Sequence, residues 1–348
     1  MKPHPYKDLP ASSYWKRAVS TIEKHRLDPV IESKFRVNAA QRVSTAGSCF
    51  AQHISARLTK LGFNYFVPED GGDLSESDRR ARQYGVFSAR YGNIYSTRQL
   101  VQLIKECYGE REVSEPAWKR PDGRWVDSLR PQVEPDGYDS PEATRQARLE
   151  HLGYVRQAFE NCELFIFTLG LTETWTCKAD GTAFPIAPGV VAGAYDPQRY
   201  EFLNLGVDQV VADLKEFLEN LRSINPSVRV LLTVSPVPLI ATYDTKHVLC
   251  ATTLSKSILR VAADSVAAGS SWIDYFPSYE IITGDYTRGS YFEDDFRSVN
   301  SLGVAHAMRC FERHYLDVTA TPGREEVVGR TTEEAIVCDE EALDAINV

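Results

Sequence analysis

The sequence predicts a three-layer α/β/α fold, with a central parallel sheet of about five strands in the flavodoxin-like order 2-1-3-4-5. Three observations lead there. Short apolar or β-branched runs alternate with helical periodicities, the pattern of a parallel sheet covered on both faces. The first run ends at Gly47-Ser48 and passes directly into an amphipathic helix, a strand-to-helix turn of the kind found at the edge of such sheets. Hydrophobic residues make up 43% and aromatics 11% of the 348 residues, enough for a packed core.

The predicted strands are 42–46, 65–67, 164–168, 229–234 and 272–275. Predicted helices cover 49–61, 97–108, 142–160, 207–224, 252–267 and 301–314. Residues 1–35 read as a helical extension ahead of a domain spanning 36–318. The stretch 68–141 is too long for a plain crossover and reads as an insertion. Within it, Trp118-Lys119-Arg120-Pro121-Asp122-Gly123-Arg124-Trp125 has the chemistry of a hairpin, with Pro-Asp-Gly as the turn. Its tryptophans and basic residues suit either packing onto the domain or lining a sugar or anionic substrate. The Gly- and Pro-rich stretch 178–206 reads as an ordered loop near the rim, in position to serve as part of a substrate lid. The acidic, weakly periodic 319–348 reads as a mobile tail.

Ser48 stands out because a serine where a strand turns into a helix offers an accessible hydroxyl near backbone donors. A nucleophile needs both, although on the local pattern alone a helix N-cap is the simpler use of such a serine. Gly170 and Ser235 also follow predicted strands, so the fold should gather all three on one rim. Cys49 beside it is a rival nucleophile, with a small buried core thiol as the simpler reading.

The run Gly47-Ser48-Cys49-Phe50-Ala51 resembles the GSCFA family, which looks like a branch of the SGNH (GDSL-type) hydrolases. The likeness extends through Tyr91-Gly92-Asn93-Ile94-Tyr95, Thr168-Leu169-Gly170, Thr233-Val234-Ser235-Pro236-Val237, Leu254-Ser255-Lys256-Ser257, Tyr275-Phe276-Pro277-Ser278-Tyr279-Glu280 and Glu293-Asp294-Asp295. The resemblance implies that Ser48 is the nucleophile, with Gly92 and Thr172 as oxyanion donors and Asp295 as the acidic member. Asn93, Glu173, Lys256, Arg260 and Asn300 would contact the substrate, and no cofactor or metal is implied. The activity implied is that of an esterase or acyltransferase on an O-acyl carbohydrate or similar ester, for example an O-acetyl ester.

One part of that pattern is missing. The superfamily's last block runs Asp-x-x-His, and this chain has Asp295-Phe296-Arg297-Ser298, with Ser298 in the histidine position. A serine hydroxyl is neither basic nor titratable near neutral pH. In a serine protease, loss of the histidine alone lowers kcat by roughly 10⁶. Among substitutes, His247 in the loop before a predicted helix ranks first. His306 lies about 10 Å too far along its helix at ~1.5 Å per residue, and His53 points away from Ser48. Asp295 acting directly or through water is a further option. Two functions are therefore expected from this cleft: a hydrolase with an unconventional base, or a binding protein that has lost turnover. A nucleotide-binding reading is disfavoured because no Gly-rich phosphate loop follows the first strand.

The remaining sequence features narrow the setting. Net charge is −9 with no dense Lys/Arg run, which argues against a nucleic-acid surface. No apolar stretch reaches the ~18 residues of a membrane span, and the N-terminal region lacks the apolar core of a secretory signal. Seven scattered cysteines read as reduced thiols. A cytoplasmic protein acting on a small-molecule or carbohydrate ester is the expectation.

Overall fold

A computed structural model describes residues 4–317, 336 and 338–344. In chain order the strands are β1 (Val43–Gly47), β2 (Ala117–Lys119), β3 (Trp125–Asp127), β4 (Leu164–Leu169), β5 (Glu173–Cys177), β6 (Ala183–Phe184), β7 (Tyr200–Asn204), β8 (Arg229–Val234) and β9 (Ile273–Phe276). The helices are α1 (Ala51–Lys60), α2 (Glu76–Ala81), α3 (Thr97–Cys107), α4 (Pro141–Asn161), α5 (Val207–Ile224), α6 (Val248–Ala267), α7 (Ser278–Thr283), α8 (Ser301–Tyr315) and α9 (Glu341–Asp344). Short helical turns at Ala11–Ser13, Lys16–Ser20 and Lys24–Arg26 make up the N-terminal extension.

β1, β4, β8 and β9 form the central parallel sheet in that order, with Val43 opposite Leu164, Leu164 opposite Arg229 and Val230 opposite Ile273. Four strands are present where five were expected. The 65–67 run contributes only a bridge between Tyr65 and Val43. Pro68, which has no N–H to donate, ends the run there. The remaining strands keep the expected sequence 1-3-4-5.

Side chains alternate across this sheet with the strand period of two. Phe165, Phe167 and Leu169 join Val230, Leu232 and Val234 in a core under α3, α4, α5 and α6. There Phe159, Phe165 and Phe217 pack edge-to-face or tilted at 5.5–5.8 Å between ring centres. Leu164, Ile166 and Leu231 face the opposite way, into a core built with Phe50, Ile54 and Leu58 of α1 and Phe311 and Tyr315 of α8. Burial on both faces explains why β4 reads Leu-Phe-Ile-Phe-Thr-Leu without a polar alternation.

Two parts of the chain differ from expectation. α3 lies inside the 68–141 insertion, yet it packs in the helical layer on the sheet. The stretch 178–206 is not one irregular loop, because β7 pairs antiparallel with β5 and β5 with β6. Trp118 of the β2–β3 hairpin is buried against Phe184 and Tyr200 of that small sheet, which makes it a packing residue. No helix among the described residues is long and apolar enough to cross a membrane. Most of 319–348 lies outside the described residues; its described part, including 338–344, is seated on the body of the protein.

Candidate active site

The turn that carries Ser48 exists because of Gly47. Its φ is +135°, and a Cβ there would fall 2.3 Å from the Thr168 carbonyl oxygen of the neighbouring strand. Only glycine permits that conformation and that approach. The Ser48 N–H donates to Thr168 O at 3.1 Å, so the ladder between β1 and β4 continues one residue beyond β1. Ser48 itself is 2% exposed, and its Oγ has no hydrogen-bond partner among the described residues. A capping serine would accept a helix N–H, but Phe50 occupies the cap position of α1 without any side-chain bond. The hydroxyl is thus buried and not engaged in holding the helix.

Two further segments converge on this turn. Ile94 N–H donates to Gly47 O at 2.9 Å, which fixes 92–95 alongside it. The Tyr95 carbonyl accepts from Gly170 N–H at 3.0 Å and Leu171 N–H at 3.1 Å. Gly170 is packed so closely that a Cβ would lie 3.1 Å from Ser48 Cβ and 3.0 Å from Tyr95 O. Lys256 on α6 donates from Nζ to Gly170 O at 2.5 Å and is 2% exposed. Burial pulls its ammonium down to about 8, because the charged form loses hydration. Lys256 therefore bonds Gly170, the residue that a Cβ would push against Ser48.

Asn93 brings two donors to one point. Its backbone N–H and Nδ2 reach the same oxygen, Oδ2 of Asp339, at 3.4 and 3.1 Å. That oxygen also lies 3.8 Å from where a Cβ on Gly92 would stand. Asn93 thus turns two donors onto one carboxylate oxygen, on the segment that Ile94 N–H ties to the Ser48 turn.

Other residues singled out from the sequence are committed elsewhere. The Thr172 hydroxyl donates to Asn204 Oδ1 at 2.7 Å and its N–H to Ser255 Oγ at 3.0 Å, so neither donor is directed to an oxyanion in this structure. Glu173 accepts from Thr242 Oγ1 and Tyr243 N–H, and burial raises its carboxyl. Arg260 pairs with Glu280 at 2.6 Å and Asp264 at 3.2 Å, and lies over the Tyr275 ring. Asn300 caps α8 through Gly303 N–H and holds the Ser290 and Phe292 carbonyls. Ser298 Oγ donates to Asp295 Oδ2 at 2.6 Å, and that pair lies at the surface. The structure does not place it in contact with Ser48.

Arg297, between them, is the residue of that loop which enters the cleft. It reaches Glu340 Oε2 at 3.1 Å and Cys338 Sγ at 4.0 Å. Cys338 also contacts the Tyr95 hydroxyl and Cys49. Contact with Cys338, together with burial, holds the proton on Cys49, while contact with Cys49 and the Arg297 guanidinium favour the thiolate on Cys338. Arg297, Tyr95, Cys338, Asp339 and Glu340 escaped the sequence reading. Arg297's place inside the Asp-x-x-Ser block and Tyr95's at the end of the Tyr91–Tyr95 block were the signals that could have pointed to two of them.

No histidine fills the vacancy left by Ser298. His306 is buried between Tyr291 OH and Leu27 O, and His247 is an exposed residue capping α6 through Leu249 N–H. His53 packs edge-on to Phe50, and burial lowers it to about 4. Among the described residues, no group of His, Cys, Asp or Glu is arranged to hold a metal ion.

A buried serine at the carboxyl edge of an open parallel sheet, beside convergent donors, places this chain among α/β proteins with a serine-centred cleft. Residues 42–311 match the GSCFA family profile, and the chain belongs to that family. No curated protein sequence matches it. Among solved structures, a carbohydrate esterase family 3 protein from Talaromyces cellulolyticus overlaps 78% of this chain and 95% of its own, at 13% identity and a TM-score of 0.30. An acetyl esterase mutant solved with an acetate ion overlaps the same shares at 14% identity and a TM-score of 0.29.

Proposed function

We propose that this protein is a serine hydrolase or acyltransferase of SGNH type, acting on O-acyl esters such as O-acetyl esters of carbohydrates or similar alcohols. The observation that carries this reading is the Ser48 hydroxyl, buried at the strand-to-helix turn and bonded to nothing. A buried hydroxyl without a partner costs about 1–3 kcal/mol; Ser44 and Thr168 share that state within the strands, and Ser48 differs in standing at the turn beyond β1.

In this reading Ser48 Oγ attacks the acyl carbon, and the carbonyl electron pair moves onto oxygen. Asn93 N–H, Asn93 Nδ2–H and the Gly92 backbone receive that oxyanion. Lys256, held on Gly170 O and with its ammonium lowered by burial, takes the Ser48 proton by way of one water. The tetrahedral intermediate collapses, the alcohol leaves with a proton, and the acyl group stays on Ser48 Oγ. Water then gives hydrolysis, or a second alcohol gives transfer. Asp295 and Ser298 support the loop that presents Arg297 rather than acting on the proton.

A second reading, a binding protein that keeps the cleft without turnover, is favoured by the occupation of the cleft by residues 338–340. Hydrolysis of 4-nitrophenyl acetate by the wild type, Ser48→Ala, Lys256→Met and Ser298→His separates the two. The hydrolase reading expects wild-type turnover that falls at least ~10³-fold in Ser48→Ala and in Lys256→Met. Equal rates for wild type and Ser48→Ala would refute it. A wild type that is inert, with activity gained in Ser298→His, would establish the binding reading instead.

A further inference from the structure

Two cations removed from water, Lys256 and Arg297, border the cleft that holds Ser48. Among the described residues, Arg297 has one carboxylate partner, Glu340, and Lys256 has none within 4 Å. Both are removed from water, Lys256 at 2% exposure and the Arg297 side chain at 19%. A desolvated cation without a counter-ion is expensive, so this cleft calls for negative charge. The Gly92–Asn93 corner adds two donors that meet on a single oxygen. Donors converging on one oxygen beside a guanidinium form a seat for carboxylates.

In this structure the seat is taken by the chain itself. Asp339 puts its carboxylate on Asn93, and its N–H donates to Tyr95 OH at 3.1 Å. Glu340 puts its carboxylate on Arg297, and Cys338 closes on Cys49 and Tyr95. Ser48 Oγ still gains no bond, so the occupant fills the cleft without engaging the serine. Burial pushes Asp339 up to about 6 and Glu340 up to about 7, while the Asn93 donors pull the first back and Arg297 and Lys256 pull back the second.

We propose that the Ser48 cleft is a carboxylate-binding site, that Cys338–Asp339–Glu340 is its resting occupant, and that the ester it acts on is anionic and displaces this segment. Only the substrate clause rests on the hydrolase reading above. The seat and its occupant do not.

Thiol labelling of the full chain with neutral N-ethylmaleimide, mapped by mass spectrometry, tests the seat without reference to activity. Cys250 is exposed and should react first, while Cys49 and Cys338 are buried and protected. Millimolar succinate should raise Cys338 labelling several-fold in the wild type and have no such effect in Arg297→Gln. The double variant Asp339→Asn/Glu340→Gln should expose Cys338 and Cys49 without succinate. Protection that persists in the double variant and is indifferent to succinate would make 338–340 a fixed part of the core and overturn the proposal. For the substrate clause, 4-acetoxybenzoate should be hydrolysed roughly tenfold faster, as kcat/KM, than its methyl ester, the effect of one charge-assisted contact. That preference should vanish in Arg297→Gln, and equal rates on both esters in the wild type would overturn the clause. Labelling that responds as expected with neither ester cleaved would sink the hydrolase reading and leave the carboxylate seat in place.

Discussion

Two buried polar clusters in this molecule have opposite characters. Under the insertion, Asp127 accepts from Arg130 at 2.8 Å, Arg148 at 3.0 Å and Leu129 N–H at 3.0 Å. Arg148 also bonds both oxygens of Glu106, and Glu69 accepts from His151 Nδ1 and Arg90 N–H, each at 2.7 Å. Each carboxylate there has its cation or donor within the folded body. Around Ser48, among the described residues, the hydroxyl has no partner, Lys256 has no carboxylate within 4 Å, and Arg297 depends on Glu340 of the 338–340 segment. A satisfied network specifies the fold, whereas an unsatisfied one at a cleft is where a ligand is expected.

The largest effect should come from breaking the satisfied cluster. Asp127→Ala leaves Arg130 and Arg148 buried beside a vacancy, and removal of one member of a buried ion pair costs about 3–5 kcal/mol. Urea denaturation should show that loss. A change below ~1 kcal/mol would mean that the network is not the structural unit described here.

Acid provides the next contrast. Burial and then Arg130 lower His151 to about 4, outweighing its bond to Glu69. The folded protein therefore keeps His151 neutral at pH values where the unfolded chain, with its ordinary pKa near ~6.5, binds a proton. Stability from this residue is complete above the unfolded value and is lost as pH falls toward 4, by up to about 3 kcal/mol. Glu69, held low by its partners despite burial, adds a loss of the same sign at the acid end. His151→Gln should flatten the fall in stability between about pH 6.5 and 4. An unchanged slope would assign the acid sensitivity to other groups.

Ser48→Ala completes the comparison. Removing an unpaired buried hydroxyl should leave stability unchanged or raise it, by up to about 1–3 kcal/mol. Thermal and urea unfolding of the variant would read this, and a loss of several kcal/mol would expose a bonding role for Ser48.

The difference between the clusters also explains what the sequence made legible. The strand at 164–168 and the helices at 97–108, 207–224 and 301–314 were readable because their burial is periodic and local. β7 escaped because Tyr200–Asn204 interrupts its apolar run with Glu201 and depends on pairing with β5. The missing histidine was visible as Ser298, but the entry of Arg297 was not. Phe296, exposed at φ 55°, turns that loop, and no periodicity reports which side chain of a turn faces inward. The 338–340 segment was hardest of all. Its acidic composition suggests solvent, and its partner Asn93 lies 246 positions away.

Arg260 gives the smallest expected effect and the sharpest check on which basic residues belong to the cleft. It sits four residues from Lys256 on α6, so by spacing alone the two share a helix face and a function. Their surroundings separate them. Lys256 is buried on Gly170, whereas the Arg260 side chain is 33% exposed and already spread over Glu280, Asp264 and the Tyr275 ring. Partly exposed pairs of that kind contribute little after screening, so Arg260→Met should cost less than about 1 kcal/mol. Hydrolysis of 4-nitrophenyl acetate should keep its kcat and KM in this variant. A rise in KM would return Arg260 to the cleft and show that its ion pairs open when substrate arrives. An unchanged KM, set beside the loss expected in Lys256→Met, would place the boundary of the site between two neighbours on one helix face, with burial rather than spacing as its cause.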